Sequence, residues 1–81
     1  MYQIYVLMSL KNNKRYVGCT SKDPLMRLQE HNSGANKWTK GNRPFKLVYQ
    51  EGFLSKREAL IEERFLKSGQ GRKFLDQIVP G

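Results

Sequence analysis

Residues 2–20 read YQIYVLMSLKNNKRYVGCT and consist of two apolar runs that flank the polar tetrad KNNK. β-Branched and aromatic residues dominate both runs, which is typical of strands, and the asparagines of the tetrad favour a tight turn. The stretch therefore predicts a β-hairpin. With Asn12 and Asn13 as a two-residue turn, Tyr5 would lie opposite Thr20.

The alternation of side chains along a strand divides this hairpin into two faces. One face, called the tyrosine face from here on, carries Tyr5, Tyr16 and Gly18. The opposite face is apolar, and its members are Ile4, Val6, Met8 and Val17. We expect the apolar face to pack against helices and the tyrosine face to carry the function.

A first helix is predicted to begin at Asp23, because an aspartate followed by Pro24 is a favourable helix start, and to run to about Asn32. Residues four positions apart lie on the same side of a helix. Arg27 and His31 are therefore held together on a rigid element.

The stretch 33–44, SGANKWTKGNRP, is rich in glycine and in small, polar and basic residues, which predicts a loop. Long loops in small domains are often functional. Four of its residues combine positive charge with one aromatic ring, a composition suited to phosphate contacts and base stacking. These candidate nucleic-acid-binding residues are Lys37, Trp38, Lys40 and Arg43. The alternative is a solvated basic loop with the indole packed on the core.

Residues 45–51, FKLVYQE, predict a third strand. One side of this strand would carry Phe45, Leu47 and Tyr49. Ser55 and Glu58 have the spacing of a capping box, which predicts a second helix that runs to about Lys67. The segment 71–78, GRKFLDQI, suggests a short third helix.

The composition favours a polyanionic partner. Fifteen Lys and Arg against seven Asp and Glu give a net charge of +8 and a pI near 9.9. Such a charge attracts nucleic acid through counterion release. The alternative is that the basic surface only keeps the chain soluble. At 81 residues we expect one domain, residues 1–81, with one site.

The cysteine and histidine content limits the kinds of site that this chain can build. Cys19 is the only cysteine and His31 the only histidine, which excludes an internal disulfide and a zinc site made of Cys and His. Neither a signal peptide nor an apolar run long enough to span a bilayer is present, so we expect a cytoplasmic protein.

Several of these residues fall into motifs that resemble the GIY-YIG nuclease superfamily, which is named for one tripeptide on each of its first two strands. Residues 3–5 (Gln-Ile-Tyr) stand at the first tripeptide and residues 16–18 (Tyr-Val-Gly) at the second. Residues 27–34, RLQEHNSG, resemble the motif on the helix. Glu63 and Lys67 match the late E-x-x-x-K pattern. The order and spacing of these motifs cover nearly the whole chain.

The resemblance implies an α+β fold, a three-stranded antiparallel sheet flanked by helices in the order ββαβαα, and hydrolysis of DNA at one divalent ion, Mg²⁺ or Mn²⁺. It also implies roles for five residues. Tyr16 would act as general base or position the attacking water, and Tyr5 would assist it. Arg27 would stabilise the phosphate, and His31 would bond a phosphate or a catalytic tyrosine. Glu63, rather than its neighbour Glu62, would be the metal ligand.

Two kinds of function remain open at this point. The first is a DNA endonuclease of repair, recombination or restriction. The second is a nucleic-acid-binding module of the same fold that acts with a partner and without turnover; many family members carry an asparagine about a dozen residues after the glutamate, and the segment 68–76 has none. RNA is the less favoured substrate. The oligomeric state is not predicted.

Overall fold

The computed structural model describes residues 1–34 and 37–79, and for Trp38 and Thr39 it describes the backbone only. Its elements follow in the order β1 (Tyr2–Ser9), β2 (Arg15–Thr20), α1 (Pro24–Asn32), α2 (Lys37–Lys40), β3 (Phe45–Phe53), α3 (Lys56–Lys67) and α4 (Gly69–Ile78). The strands form one antiparallel sheet in the order β2-β1-β3. The predicted α+β fold is thereby confirmed, and the predicted loop contains one short helix, α2.

The hairpin forms, but its predicted register was wrong by two residues. Tyr5 lies opposite Gly18 and not opposite Thr20. The turn is longer than expected because the Ser9 hydroxyl accepts two backbone N–H groups within it, at 3.1 and 3.3 Å, while the Ser9 N–H donates to the Lys14 carbonyl. Since side chains alternate with a period of two, a shift of two residues leaves both faces of the hairpin as predicted.

The third strand pairs with the other edge of β1, and a bulge at Val48 interrupts the pairing. A bulge places one extra residue in a strand and turns the following side chains to the other face. Phe45 and Leu47 lie on the tyrosine face, but Tyr49 lies on the opposite face. The expectation that these three side chains share one side was therefore wrong for Tyr49.

Helices cover both faces of the sheet. The larger core lies between the apolar face and α3 with α4, and its buried residues are Ile4, Val6, Met8, Val17, Ala59, Leu66, Leu75 and Val79. A smaller core lies on the tyrosine face, where Tyr5, Leu7 and Phe45 are buried and Tyr16, Leu28 and Leu47 pack against them. Because Leu28 belongs to α1, that helix lies over the tyrosine face and brings its polar residues to the two phenols.

The helix starts follow the predicted capping signals. The Asp23 carboxylate accepts an N–H of the first turn of α1 at 2.9 Å, and the Ser55 hydroxyl accepts the Glu58 N–H at 3.1 Å. The last helix is capped by Ser68 and begins two residues before Gly71, its predicted first residue. In the described part of the chain, no helix has the length and apolar character that a membrane span requires.

Candidate functional site

The tyrosine face is built on a close contact between Tyr5 and Gly18. The two residues lie opposite each other on β1 and β2, and the Tyr5 ring crosses the glycine. A Cβ at position 18 would lie 2.4 Å from both Cζ and Oη of Tyr5. Gly18 does not adopt a positive φ. The glycine is therefore required by the space that the ring occupies rather than by backbone conformation.

The Tyr5 hydroxyl connects the sheet to α1. It accepts a hydrogen bond from Nε of Arg27 at 3.4 Å and lies 3.4 Å from Nε2 of His31. Only 1% of Tyr5 is exposed. Burial raises the pKa of the Tyr5 phenol, and the bond from Arg27 offsets part of that increase. Tyr5 is thus a neutral phenol at pH 7, held between two side chains of one helix.

Tyr16 completes the cluster from the neighbouring strand. Its ring centroid lies 4.7 Å from that of His31 and 6.3 Å from that of Tyr5. Tyr16 is half-buried, whereas 1% of His31 is exposed. Burial, followed by the charge of Arg27, lowers the pKa of His31, so its imidazole is neutral at pH 7. Of the two phenols, Tyr16 is the one that water can reach.

Arg27 is positioned by two hydrogen bonds and still reaches solvent. Its Nε donates to Tyr5 and its Nη1 donates to the carboxylate of Glu30, one turn further along α1. The side chain remains 31% exposed. The hydrogen bond to Tyr5 raises the pKa of Arg27, which keeps the guanidinium charged. Sequence reasoning gave Glu30 no role, although this residue stands inside the RLQEHNSG motif.

Glu63 and Glu62 are neighbours in sequence, but the structure gives them different surroundings. Glu63 has a 21% exposed side chain and pairs with Lys67 at 3.5 Å. The pKa of Cys19 on β2 is raised first by burial and then by the negative charge of Glu63. For Glu62, burial and then Glu51 on β3 raise the carboxyl pKa. The Glu63 carboxylate therefore lies toward β2, and the Glu62 carboxylate lies toward β3.

Glu63 would offer a metal ion one carboxylate, which limits the kinds of ion that it suits. The described residues include no group of three or more His, Cys, Asp and Glu side chains that could hold an ion. A site built only from protein ligands is thus not present in that part of the chain. Mg²⁺ commonly keeps several waters and binds through one or two carboxylates together with substrate phosphates. The half-buried carboxylate of Glu63 suits such an ion.

The predicted nucleic-acid-binding residues lie near the end of α1. Lys37, Lys40 and Arg43 are exposed, and Arg43 Nη1 donates to the Asn32 carbonyl at 3.4 Å. The Asn32 amide bonds the backbone of the first residue of β3 at 2.7 and 3.1 Å, which anchors the segment that follows α2. The side chain of Trp38 lies outside the described part of the chain.

This chain is similar in sequence to a known family and to several known proteins. Residues 1–74 match the family model of the GIY-YIG catalytic domain. A UPF0213 protein of Streptococcus pneumoniae is 43% identical over 65 residues, and the match covers 79% of this chain and 64% of that protein. A UPF0213 protein of Staphylococcus saprophyticus is 40% identical over 81 residues, which cover 99% of this chain and 96% of that protein.

A solved structure extends the comparison to the fold. The solution NMR structure of a UPF0213 protein from Bacillus halodurans superposes with a TM-score of 0.58 at 34% identity, and covers 100% of this chain and 88% of that one. The names of these relatives state no activity. GIY-YIG nucleases act on nucleic acids and generally use divalent metals. With its family match, its relatives and its sheet in agreement, this chain belongs to the GIY-YIG family of nucleases.

Proposed function

We propose that this chain is a divalent-metal-dependent endonuclease that hydrolyses phosphodiester bonds in nucleic acid, with DNA as the preferred substrate. One observation carries the proposal: the Tyr5 hydroxyl joins Arg27 and His31 within 3.4 Å, beside the ring of Tyr16. Phosphodiester hydrolysis needs a group that activates water and a cation that offsets charge on the phosphate. Tyr16 and Arg27 provide these two groups on the same face.

The two phenols would divide the work according to their exposure. Tyr5 is buried, and its raised pKa keeps it protonated, so it serves as the support that orients Arg27. Tyr16 is half-buried and stands beside the neutral imidazole of His31. In this proposal Tyr16 acts as the general base or positions the attacking water. His31 is too buried to meet a phosphate and acts on the tyrosines instead.

Arg27 would bind the scissile phosphate. Two of its nitrogens are engaged by Tyr5 and Glu30, which fix the plane of the guanidinium. In this proposal Nη2 is the nitrogen that donates to the phosphate. A charged donor held in advance stabilises the negative charge that grows as the water oxygen attacks phosphorus. The water oxygen forms the new bond to phosphorus as the bond to the leaving oxygen breaks, and the leaving oxygen takes a proton from solvent.

Glu63 would hold the divalent ion, Mg²⁺ or Mn²⁺. When bound, such an ion neutralises phosphate charge and favours ionisation of water. The place of Glu63 on the β2 side of α3 supports this assignment, since β2 carries Tyr16. The carboxylate pairs with Lys67 at 3.5 Å, a surface contact that an ion of higher charge would displace.

A plasmid-nicking assay with Mg²⁺ or Mn²⁺ tests the proposal. We expect the wild-type chain to nick DNA, and both Tyr16→Phe and Glu63→Gln to abolish nicking. Arg27→Ala should lower the rate about 10²- to 10³-fold, the usual loss for one donor to a transition-state oxyanion. The matched controls are Glu62→Gln, on the other side of α3, and Arg64→Ala, an exposed arginine on the same helix. Both controls should nick normally.

The same assay separates the second candidate function, a nucleic-acid-binding module without turnover. The net charge of +8 favours binding to nucleic acid even without catalysis. Among the residues that the structure describes, no group of three or more His, Cys, Asp and Glu side chains could hold a metal ion. DNA bound by the wild-type chain without any nicking, in either metal, would replace the endonuclease by the module. A substrate series with RNA of the same sequence tests the preference for DNA.

A further inference from the structure

A cleft of ≈ 580 Å³ follows the outer edge of β2, on the side away from β1. It is formed by the hairpin turn, β2 and the facing parts of α3 and α4. Its lining residues are Asn13, Lys14, Arg15, Tyr16, Val17, Leu66, Lys67, Arg72 and Leu75. Because Tyr16 is one of them, the cleft adjoins the residue that is the candidate for activating water.

The cleft is strongly basic. Four of its lining residues are cations and none is a carboxylate. Arg15 pairs with Asp76 at 2.7 Å, and Lys67 pairs with Glu63 at 3.5 Å. Lys14 and Arg72 are exposed and form no ion pair with any residue that the structure describes. These two charges are therefore available to an anion.

The deeper wall of the same cleft is apolar. Val17, Leu66 and Leu75 belong to the larger core and are also among the residues that line the cleft. The volume lies within the range of about 300–1,000 Å³ that is typical of small-molecule pockets. A phosphate backbone alone would need only charges on an open surface, whereas a concave site with an apolar wall and a cationic rim suits a base together with its phosphate.

We propose that this cleft binds one nucleotide of the substrate strand next to the scissile phosphate. Lys14 and Arg72 hold its phosphate, and its base leaves the stack and lies against the apolar wall. The inference rests on the proposed function for the position of the scissile phosphate at Tyr16 and Arg27. It assigns to this chain a substrate that has an unpaired or easily unpaired nucleotide beside the cut.

Binding measured without metal tests the cleft independently of catalysis. A fluorescently labelled single-stranded oligonucleotide is titrated with the full chain in EDTA at several salt concentrations. The slope of log affinity against log salt falls by about 0.7 for each lost phosphate contact on a single strand. We expect this decrease for Lys14→Ala and again for Arg72→Ala. The matched controls, Lys73→Ala and Arg64→Ala, remove the same charges outside the cleft and should give the smaller decrease of a distant charge.

A second measurement locates the base. A fluorescent base analogue is placed at successive positions of the oligonucleotide, and an abasic residue is placed at the same positions. We expect a strong change in fluorescence at one position, lost in Arg72→Ala, and weaker binding when that position is abasic. Salt slopes that match those of the controls, or abasic residues that are tolerated at every position, would overturn the inference.

The outcomes separate this inference from the proposed function. Nicking that depends on Arg27, together with cleft variants that bind like their controls, would remove the nucleotide site and leave the endonuclease. A response of the cleft variants in binding, with no nicking by the wild-type chain, would uphold the nucleotide site and refute the endonuclease.

Discussion

Replacement of Gly18 by alanine measures how tightly the candidate site is packed. The added Cβ would lie 2.4 Å from Cζ of Tyr5, whereas non-bonded carbons prefer about 3.5–4.0 Å. The ring would have to move by roughly 1 Å or more to restore that separation. It has little room to do so, because it is 1% exposed between the sheet and α1. We therefore expect Gly18→Ala to lower the free energy of unfolding by about 1–3 kcal/mol.

Urea denaturation followed by circular dichroism gives this free energy, and a thermal melt gives a second estimate. For a domain of this size each kcal/mol lowers Tm by about 4–8 °C. Displacement of the ring should also disturb the hydrogen bond between Tyr5 and Arg27, so the nicking rate should decrease in the folded variant. Gly69→Ala is the control, because a Cβ at position 69 would meet open space. It should be neutral or slightly stabilising.

A double-mutant cycle decides whether the contact with Tyr5 causes the loss. In a Tyr5→Leu background the ring atoms that clash with the new Cβ are absent. The cost of Gly18→Ala should then fall well below its cost in the wild-type chain. An equal cost in both backgrounds, or a cost no larger than that of Gly69→Ala, would refute the steric argument.

Three further predictions concern stability. Gly71→Ala should lower the free energy of unfolding, measured by urea denaturation, by about 3 kcal/mol or more. Its Cβ would lie 2.0 Å from the Phe65 carbonyl oxygen, a backbone atom that cannot move aside by changing rotamer. A loss smaller than that of Gly18→Ala would contradict this prediction. Burial and then Glu51 raise the folded pKa of Glu62 above its ordinary 4.5, so its stabilising contribution is present below pH 4.5 and is lost as pH rises through the folded pKa. Glu62→Gln should therefore increase stability at pH 7 by about 0.2–1 kcal/mol, and an unchanged melt at pH 7 would argue against it. Burial lowers the folded pKa of His31 below its ordinary 6.5. The contribution of His31 to folding stability is therefore present above pH 6.5 and is lost as pH falls through the folded pKa. Thermal melts between pH 8 and pH 5 should show a loss of stability in the wild-type chain that His31→Gln lacks.

Several features of the fold follow from local sequence and were predicted correctly. Asp23 and Ser55 begin helices because each places a side-chain oxygen where the first N–H groups lack partners. The two faces of the hairpin follow from the period of two, which survives even a wrong register. The order of the motifs likewise indicated the family. In each case the information lies within a few residues or in their order along the chain.

Other predictions failed because the pattern of apolar residues does not reveal the length of a turn or the place of a bulge. The Ser9 hydroxyl lengthens the hairpin turn, and the bulge at Val48 turns Tyr49 to the apolar face. Neither is visible in the alternation of apolar residues, since propensity is insensitive to one extra residue in a strand.

The sequence by itself determined the strands, the helix starts, the positive charge and the family, because these depend on local chemistry or on order along the chain. Only the tertiary structure decided which phenol is buried, which of two adjacent glutamates faces β2, and that Lys14 and Arg72 line one cleft. Burial and proximity arise when α1, α3 and α4 pack on the sheet. A side chain's chemistry is fixed by its type, but its access to water and to its partners is fixed by packing.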